Sequence, residues 1–247
     1  MATPRFYHPA ALLPGQMTSL SANAATHASR ALRMQAGDRV ILFNGDGKHY
    51  LGKLVSISKH EVIADILEAI PCTSESPLNI TLAQAISSGD RMDFTIQKAV
   101  EMGVTAIQPI ASQRSIVKLS GDRAEKRREH WQNVVISACE QSGRATIPHV
   151  AMPVSLHEWL SQTTEKQETL ITLAPDAQIA LPEMTISAHK NISLLIGPEG
   201  GLSDDEIRLA SQHGYTSVRM GPRILRTETA ALAAIASMQA LWGDFVR

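Results

Sequence analysis

The chain has 247 residues, 44% hydrophobic and 19% charged, which is long enough for more than one domain and excludes extended disorder. Its formal net charge of −1 excludes a surface that is basic throughout, so nucleic-acid affinity would have to come from local patches of cations facing phosphates. Cys72 and Cys139 are the only cysteines, and the nine histidines contain no pair at HxxxH spacing; a disulfide framework and a cysteine zinc site are excluded, no metal is expected, and a reducing cytoplasm fits.

Near the N-terminus Pro9 and Pro14 interrupt the only apolar stretch, so no signal-peptide core is predicted. A helix follows over Ser21–Met34, with Ser21 as its N-cap. Short β-like runs come next at Arg39–Phe43, Tyr50–Ile57 and Val62–Leu67. The turn Asn44-Gly45-Asp46-Gly47 joins the first two, and its residues tolerate the positive φ of a tight hairpin. This half reads as a small β-rich barrel or sandwich. Pro71–Pro77 (PCTSESP) then reads as a linker, dividing a domain over residues 1–72 from a second over 73–247.

Beyond the linker, strands are predicted at Ile80–Ile86, Val104–Ile110, Leu170–Leu173, Ile192–Ile196 and Ser217–Met220. They alternate with helices at Arg91–Met102, Ala124–Gln141, Leu156–Ser161, Asp204–His213 and Glu228–Leu241. Such alternation predicts an α/β layer on a mainly parallel sheet, whose ligands bind at loops beyond the carboxyl ends of the strands. The segment Ala230–Trp242 is too short to span a bilayer and contains Ser237 and Gln239, so a soluble protein is expected. Cys139, on an apolar helix face near Val135 and Ile136, reads as core.

Two loops follow predicted strands and lead into helices. In the first, Leu194-Leu195-Ile196-Gly197-Pro198-Glu199-Gly200-Gly201, glycines let the backbone approach a ligand and expose its N–H and C=O groups. It is neither a GxxxxGK[ST] phosphate loop nor a GxGxxG dinucleotide fingerprint. By spacing alone it is equally a tight strand–helix connection that binds nothing. The second, Met220-Gly221-Pro222-Arg223-Ile224-Leu225-Arg226-Thr227-Glu228-Thr229-Ala230, ends at a helix N-terminus with free N–H donors. The small residues Ala230, Ala231, Ala233 and Ala234 permit close packing there. Side by side, two such loops could form an apolar slot rimmed by backbone polar groups, as an adenosine moiety requires.

Together LIGPEGG and MGPRILRTETA resemble the paired cofactor loops of the RsmE family, the 16S rRNA (uracil-1498-N3) methyltransferases of the SPOUT superfamily. Further similarity lies in Pro4-Arg5-Phe6-Tyr7, Arg30–Gly47, Gln97–Pro109 and Glu140–Pro148. Leu202 stands where family members often carry an aromatic residue, and Met220 where leucine is usual. The resemblance implies an α/β fold in which a small N-terminal PUA-like RNA-binding domain precedes a trefoil-knotted methyltransferase domain. It also implies S-adenosylmethionine as cofactor, a homodimer, and small-subunit ribosomal RNA as substrate.

On that basis cofactor contacts are expected from Leu173, Leu195, Ile196, Gly197, Pro198, Glu199, Gly200, Met220, Gly221, Ile224, Leu225, Thr229 and Ala230. Arg226 and Glu228 are the catalytic candidates. Uracil N3 is a poor nucleophile while protonated, and a permanent guanidinium beside its carbonyl oxygens would favour the anion. The structural alternative is that Arg226 braces the loop by pairing with Glu228 or Glu199. From Arg114 to Arg128 six cations face two acids, which fits either a solvated helix face or RNA contact. The RNA-contacting candidates are Arg5, Arg30, Arg33, Arg114, Lys118, Arg123, Arg127, Arg128 and Arg144. Aromatic residues make up only 4%, so contact through phosphates and RNA shape is expected rather than extensive base stacking. Two rival functions are a non-catalytic RNA-binding or ribosome-assembly factor, and a nucleotide-dependent oxidoreductase. The second would need a phosphate-cradling fingerprint that the sequence lacks.

Overall fold

The computed structural model describes residues 3–58, 61–115, 121–162 and 168–246, which form two compact units. One comprises the described chain up to Glu75 together with Ile136–Ile147; the other comprises Ser76–Val135 and the chain from Pro148 onward.

The first unit is a five-stranded sheet in the order β1-β3-β4-β5-β2. Its strands are β1 (Arg5–Tyr7), β2 (Met17–Ser19), β3 (Arg39–Phe43), β4 (Lys48–Ile57) and β5 (Val62–Pro71). β1 lies parallel to β3, and the other pairs are antiparallel. The predicted hairpin joins β3 to β4: Gly45 and Gly47 take φ of 98° and 82°, and the Asn44 and Asp46 side chains accept from amides two residues on. β4 and β5 outrun their sequence pattern because register shifts at Leu51/Gly52 and Leu54/Ser56 break the two-residue period. At Gly52 a Cβ would stand 2.8 Å from the Asp65 carbonyl oxygen, so this approach requires glycine.

The predicted helix over Ser21–Met34 is shorter than expected. Ser21 does cap α1 (Ala22–Thr26), accepting from the Ala24 amide. The chain then widens into a π turn over His27–Ala31 and stops. Thr26 and Ser29 donate their hydroxyls to the carbonyls of Ala22 and Ala25, a back-bonding that loosens helices, and Arg33 sits in the left-handed region with φ of 53°. Phe6, Leu42, Leu54 and Ile66 form the centre of this unit's core. Glu75 draws Ile136–Ile147 into the unit: its carboxylate accepts from Arg144 Nε at 3.0 Å and from the amides of Ala145 and Thr146.

The second unit is an eight-stranded sheet in which every pairing is parallel. Its strands are β6 (Asn79–Ala85), β7 (Ala106–Ala111), β8 (His149–Val150), β9 (Val154–Ser155), β10 (Glu168–Leu173), β11 (Ile179–Ala180), β12 (Asn191–Ile196) and β13 (Thr216–Arg219). The order is β11-β13-β10-β12-β6-β7-β8, with β9 also on β7. The helices are α2 (Asp90–Glu101), α3 (Asp122–Ser142), α4 (Leu156–Gln162), α5 (Asp204–Gln212) and α6 (Thr227–Trp242). β12 is buried from Ile192 to Ile196, as expected of a strand covered on both faces. α5 starts where the sequence places it, because Ser203 and Glu206 form a reciprocal capping box directly after the glycine-rich turn. α6 packs against α2, and Ala231, Ala234 and Met238 are among its buried positions. No described helix is long and apolar enough to cross a membrane.

Candidate functional site

β13, β10 and β12 are neighbours in a parallel sheet, so their carboxyl ends share one edge. The loops leaving those ends enclose a cleft of about 380 Å³, within the range of small-molecule sites. The loop after β12 turns sharply: the Gly201 amide donates to the Pro198 carbonyl at 2.9 Å, and Gly201 takes φ of 68°. At Gly197 a Cβ would lie 2.7 Å from Leu202 N and 2.9 Å from Gly201 C, so backbone alone fits there. In the loop after β13, Gly221 has φ of 82° and nothing within 4 Å of a Cβ position, leaving bare backbone beside the cleft.

Of the expected cofactor residues, Leu173, Ile196, Gly197, Pro198, Glu199, Gly200, Met220, Gly221, Ile224, Leu225 and Ala230 line the cleft. Two do not reach it. Leu195 precedes Ile196 on a strand whose side chains alternate between faces, and it packs instead with Leu202, Ala210 and Tyr215. Thr229 is exposed on the first turn of α6. Arg226 and Glu228 flank the lining residue Thr227: Arg226 is the exposed N-cap of α6, and Glu228 is half-buried with Oε2 lacking a partner among the described residues. The alternative brace of Arg226 to Glu199 or Glu228 is not seen among the described residues, and Glu199 is held elsewhere.

A third loop, Ala174-Pro175-Asp176 after β10, also lines the cleft and was not anticipated. It carries no glycine to mark it, yet the rule that directs attention to strand ends applies equally to β10. Asp176 is exposed there and adds a carboxylate to the wall. Arg114, expected on RNA, lies at the cleft: its Nη1 donates to the Gly200 carbonyl at 2.8 Å, and its side chain covers Gly200. Arg114→Ala should therefore weaken cofactor binding while leaving the salt dependence of RNA binding unaltered. Calorimetry and a salt titration check this; a shallower salt slope with intact cofactor affinity would return Arg114 to the RNA face.

Glu199 is tied to the loop between β6 and α2. Its Oε1 accepts from the Ser88 amide and hydroxyl at 2.9 Å each and from Arg91 Nη1 at 3.0 Å. Burial opposes ionisation, but the donors from Ser88, its own amide and Arg91 outweigh it and hold the carboxyl below its ordinary value. A depressed carboxylate stabilises the fold above its unfolded pKa and loses that contribution as pH falls through the folded value. The tie is thus intact at neutral pH and released only in acid.

The remaining cations divide. Arg123 is exposed near the start of α3. Arg127 lies over the Trp131 ring at 5.6 Å, and Arg128 pairs with Glu125 at 2.8 Å. Lys118 lies outside the described residues. In the first unit Arg30 and Arg33 are exposed, whereas Arg5 is half-buried and donates to the Arg144 carbonyl. Arg144 does not sit on a surface: it is 2% exposed and ion-paired with Glu75 at 2.8 Å. It was expected on RNA, and its pairing with Glu75, 69 positions away, is a contact that no local pattern shows. Among the described residues no cluster of histidine, cysteine, aspartate or glutamate could hold a metal ion.

Residues 74–239 match the family model of an RNA methyltransferase domain, and residues 20–67 that of an RNA methyltransferase PUA domain. The chain is 37% identical to the ribosomal RNA small subunit methyltransferase E of Buchnera aphidicola (Schizaphis graminum), over 98% of this chain and 97% of the relative. It is 34% identical to that of Bacillus subtilis, over 89% and 88%. Among solved structures, the Neisseria gonorrhoeae ribosomal RNA small subunit methyltransferase E bound to S-adenosylmethionine is 46% identical with a TM-score of 0.93, over 99% of this chain and all of the other. A putative methyltransferase from Legionella pneumophila, in complex with the same cofactor, is 40% identical with a TM-score of 0.94 over the same shares.

Proposed function

Because the chain belongs to the ribosomal RNA small subunit methyltransferase E family, we propose that it transfers a methyl group from S-adenosylmethionine to N3 of a uridine, uracil-1498, in 16S ribosomal RNA. The observation that carries this reading is the cleft at the shared carboxyl edge of β13, β10 and β12, walled by the two motif loops. Apolar side chains from Ile196, Met220 and Leu225 suit an adenine ring, and the bare backbone at Gly197 and Gly221 suits its polar edge. When bound, the sulfonium cofactor supplies an already activated methyl group, so the chemistry asks only for orientation and removal of one proton. Arg226, the N-cap of α6, holds the carbonyl oxygens of the base and favours the N3 anion in this reading. Glu228, with Oε2 unpartnered among the described residues, accepts the hydrogen bond from N3 and takes its proton. A purely RNA-binding assembly factor would have no use for such a cleft.

The same reading includes a homodimer with a trefoil-knotted methyltransferase domain, acting in the cytoplasm during ribosome biogenesis. Two-fold pairing is the commonest symmetry of soluble oligomers, and apolar Phe94, Leu241 and Phe245 are exposed on the second unit. Light scattering should give twice the chain mass; a monomer with full activity at working concentration would contradict the dimer.

RNA contact is assigned to Arg123 and Arg127, with Arg30 and Arg33 on the PUA-like unit. Reversing both charges, Arg123→Glu with Arg127→Glu, should weaken RNA binding and make its salt dependence shallower, since fewer counterions are released. Arg128→Glu should do less, its charge being already matched by Glu125. An unchanged salt slope in the double variant would leave the run a solvated helix face.

A further inference from the structure

The cofactor cleft occupies the ends of β13, β10 and β12, whereas the next strand end along the same edge, that of β6, remains unassigned. A chain of hydrogen bonds gathers three elements there. Gln84 of β6 donates from Nε2 to Thr227 Oγ1 at 3.0 Å, and Thr227 donates to the Gly197 carbonyl at 2.6 Å. Glu199 then clamps Ser88 and Arg91, as described above. The connecting loop carries Gly89 at φ 50° and ψ −130°, a conformation open to glycine, with nothing within 4 Å of a Cβ position.

Four buried polar atoms in this neighbourhood lack a partner among the described residues: Gln84 Oε1, Ser87 Oγ, Glu199 Oε2 and Glu228 Oε2. Gln84 and Ser87 are 0% and 1% exposed, and unmatched polar atoms so deeply buried cost stability unless a ligand or water meets them. None of Gln84, Ser87 and Glu228 lines the cofactor cleft. Three of the four atoms are acceptors, and two are carboxylate oxygens, which disfavours a phosphate and favours a neutral group that donates N–H.

We infer that the β6–α2 loop, Ser87 to Arg91, forms the wall of the acceptor-base subsite, with the Ser87 hydroxyl donating to one carbonyl of the base. This rests on the function proposed above. The imide edge of uracil presents carbonyl, N–H, carbonyl, which this assignment pairs with Ser87 as donor, Glu228 as acceptor and Arg226 as donor. Cytosine offers an acceptor where Glu228 needs a donor, so the same edge is rejected. Glu199 acts as a positioning residue: it lines the cofactor cleft and, through Ser88 and Arg91, sets where the loop stands.

The test is a cycle pairing Ser87→Ala with atomic changes in the substrate. Small-subunit ribosomal RNA carrying 2-thiouridine or 4-thiouridine in place of uridine replaces a carbonyl acceptor by a poor one. Ser87→Ala acting on the unmodified RNA, and the wild-type protein acting on the relevant thio substrate, should each slow single-turnover methyl transfer about tenfold, the worth of one neutral hydrogen bond. Combined, they should slow it about tenfold in total rather than a hundredfold, because both remove the same contact. Calorimetric affinity for S-adenosylmethionine should be unchanged, reporting an intact fold. For positioning, Glu199→Gln should lower the transfer rate more than it raises the KM for cofactor, and Glu199→Asp should not restore it. Additive losses with both thio substrates, or no loss in Ser87→Ala, would overturn the subsite. Absence of transfer by the wild-type protein would instead overturn the proposed function.

Discussion

Replacing Arg226 by alanine is expected to slow methyl transfer by about 100–1,000-fold, the usual loss when a preorganised donor to a developing anion is removed. S-adenosylmethionine affinity should be nearly normal, because the side chain lies outside the cleft lining while its neighbours Leu225 and Thr227 line it. The structural competitor for this arginine is weakened by the geometry: Glu199 Oε1 is satisfied by Ser88 and Arg91, and among the described residues Arg226 forms no ion pair. Its backbone still serves α6, the Arg226 carbonyl accepting from Ala230 at 2.7 Å, and alanine preserves that bond. Partial recovery of the variant is expected at higher pH, where more of the uracil ionises without help. A merely structural arginine would show no such pH-dependent rescue. Single-turnover rates across pH with near-saturating cofactor measure this, and near-normal turnover in Arg226→Ala would remove Arg226 from the mechanism.

The second large effect is expected at Gly197. Its Cβ would meet backbone atoms, Leu202 N at 2.7 Å and Gly201 C at 2.9 Å, and backbone cannot swing aside as a side chain can. Gly197→Ala must therefore distort the turn that shapes the cleft. Overpacking of this kind costs about 1–3 kcal/mol, which lowers cofactor affinity roughly 5- to 150-fold if it falls on the bound conformation. Gly200 is the more forgiving glycine, since a Cβ there meets Arg114 Cδ at 3.4 Å, on a flexible side chain that can yield. Calorimetry should rank the two variants in that order. Equal or reversed losses would mean that the tight turn at Gly197 is not what forms the site.

Much of this site is legible in the sequence because its loops are punctuated by glycine and proline directly after apolar strands. GPEGG and GPRILRTET announce themselves; Ala174-Pro175-Asp176 does not, having neither glycine nor a motif, and only its place after a strand could have found it. Leu195 stands beside Ile196 in one motif, yet strand alternation turns its side chain into the core. The charged run from Arg114 to Arg128 read as one surface, whereas the fold sends Arg114 to a carbonyl 86 positions away and leaves Arg123 exposed. Arg144 is buried by Glu75, a pairing across 69 positions that no local pattern encodes. In the first unit, the hairpin at Asn44–Gly47 was plain from turn chemistry. The early end of α1 follows from hydroxyl back-bonding at Thr26 and Ser29, which residue identities permit but do not require. The short strands β1 and β2, three residues each, are too brief for alternation to register.

Methylation of one uridine of small-subunit ribosomal RNA is the activity proposed for this chain. Mass mapping of that RNA from a strain lacking the gene, and from the same strain with the gene restored, tests it most directly. One uridine is expected whose N3 methyl group disappears on deletion, returns with the wild-type gene, and fails to return at wild-type level with Arg226→Ala. Ribosomal RNA with the same methylation in all three strains would contradict it.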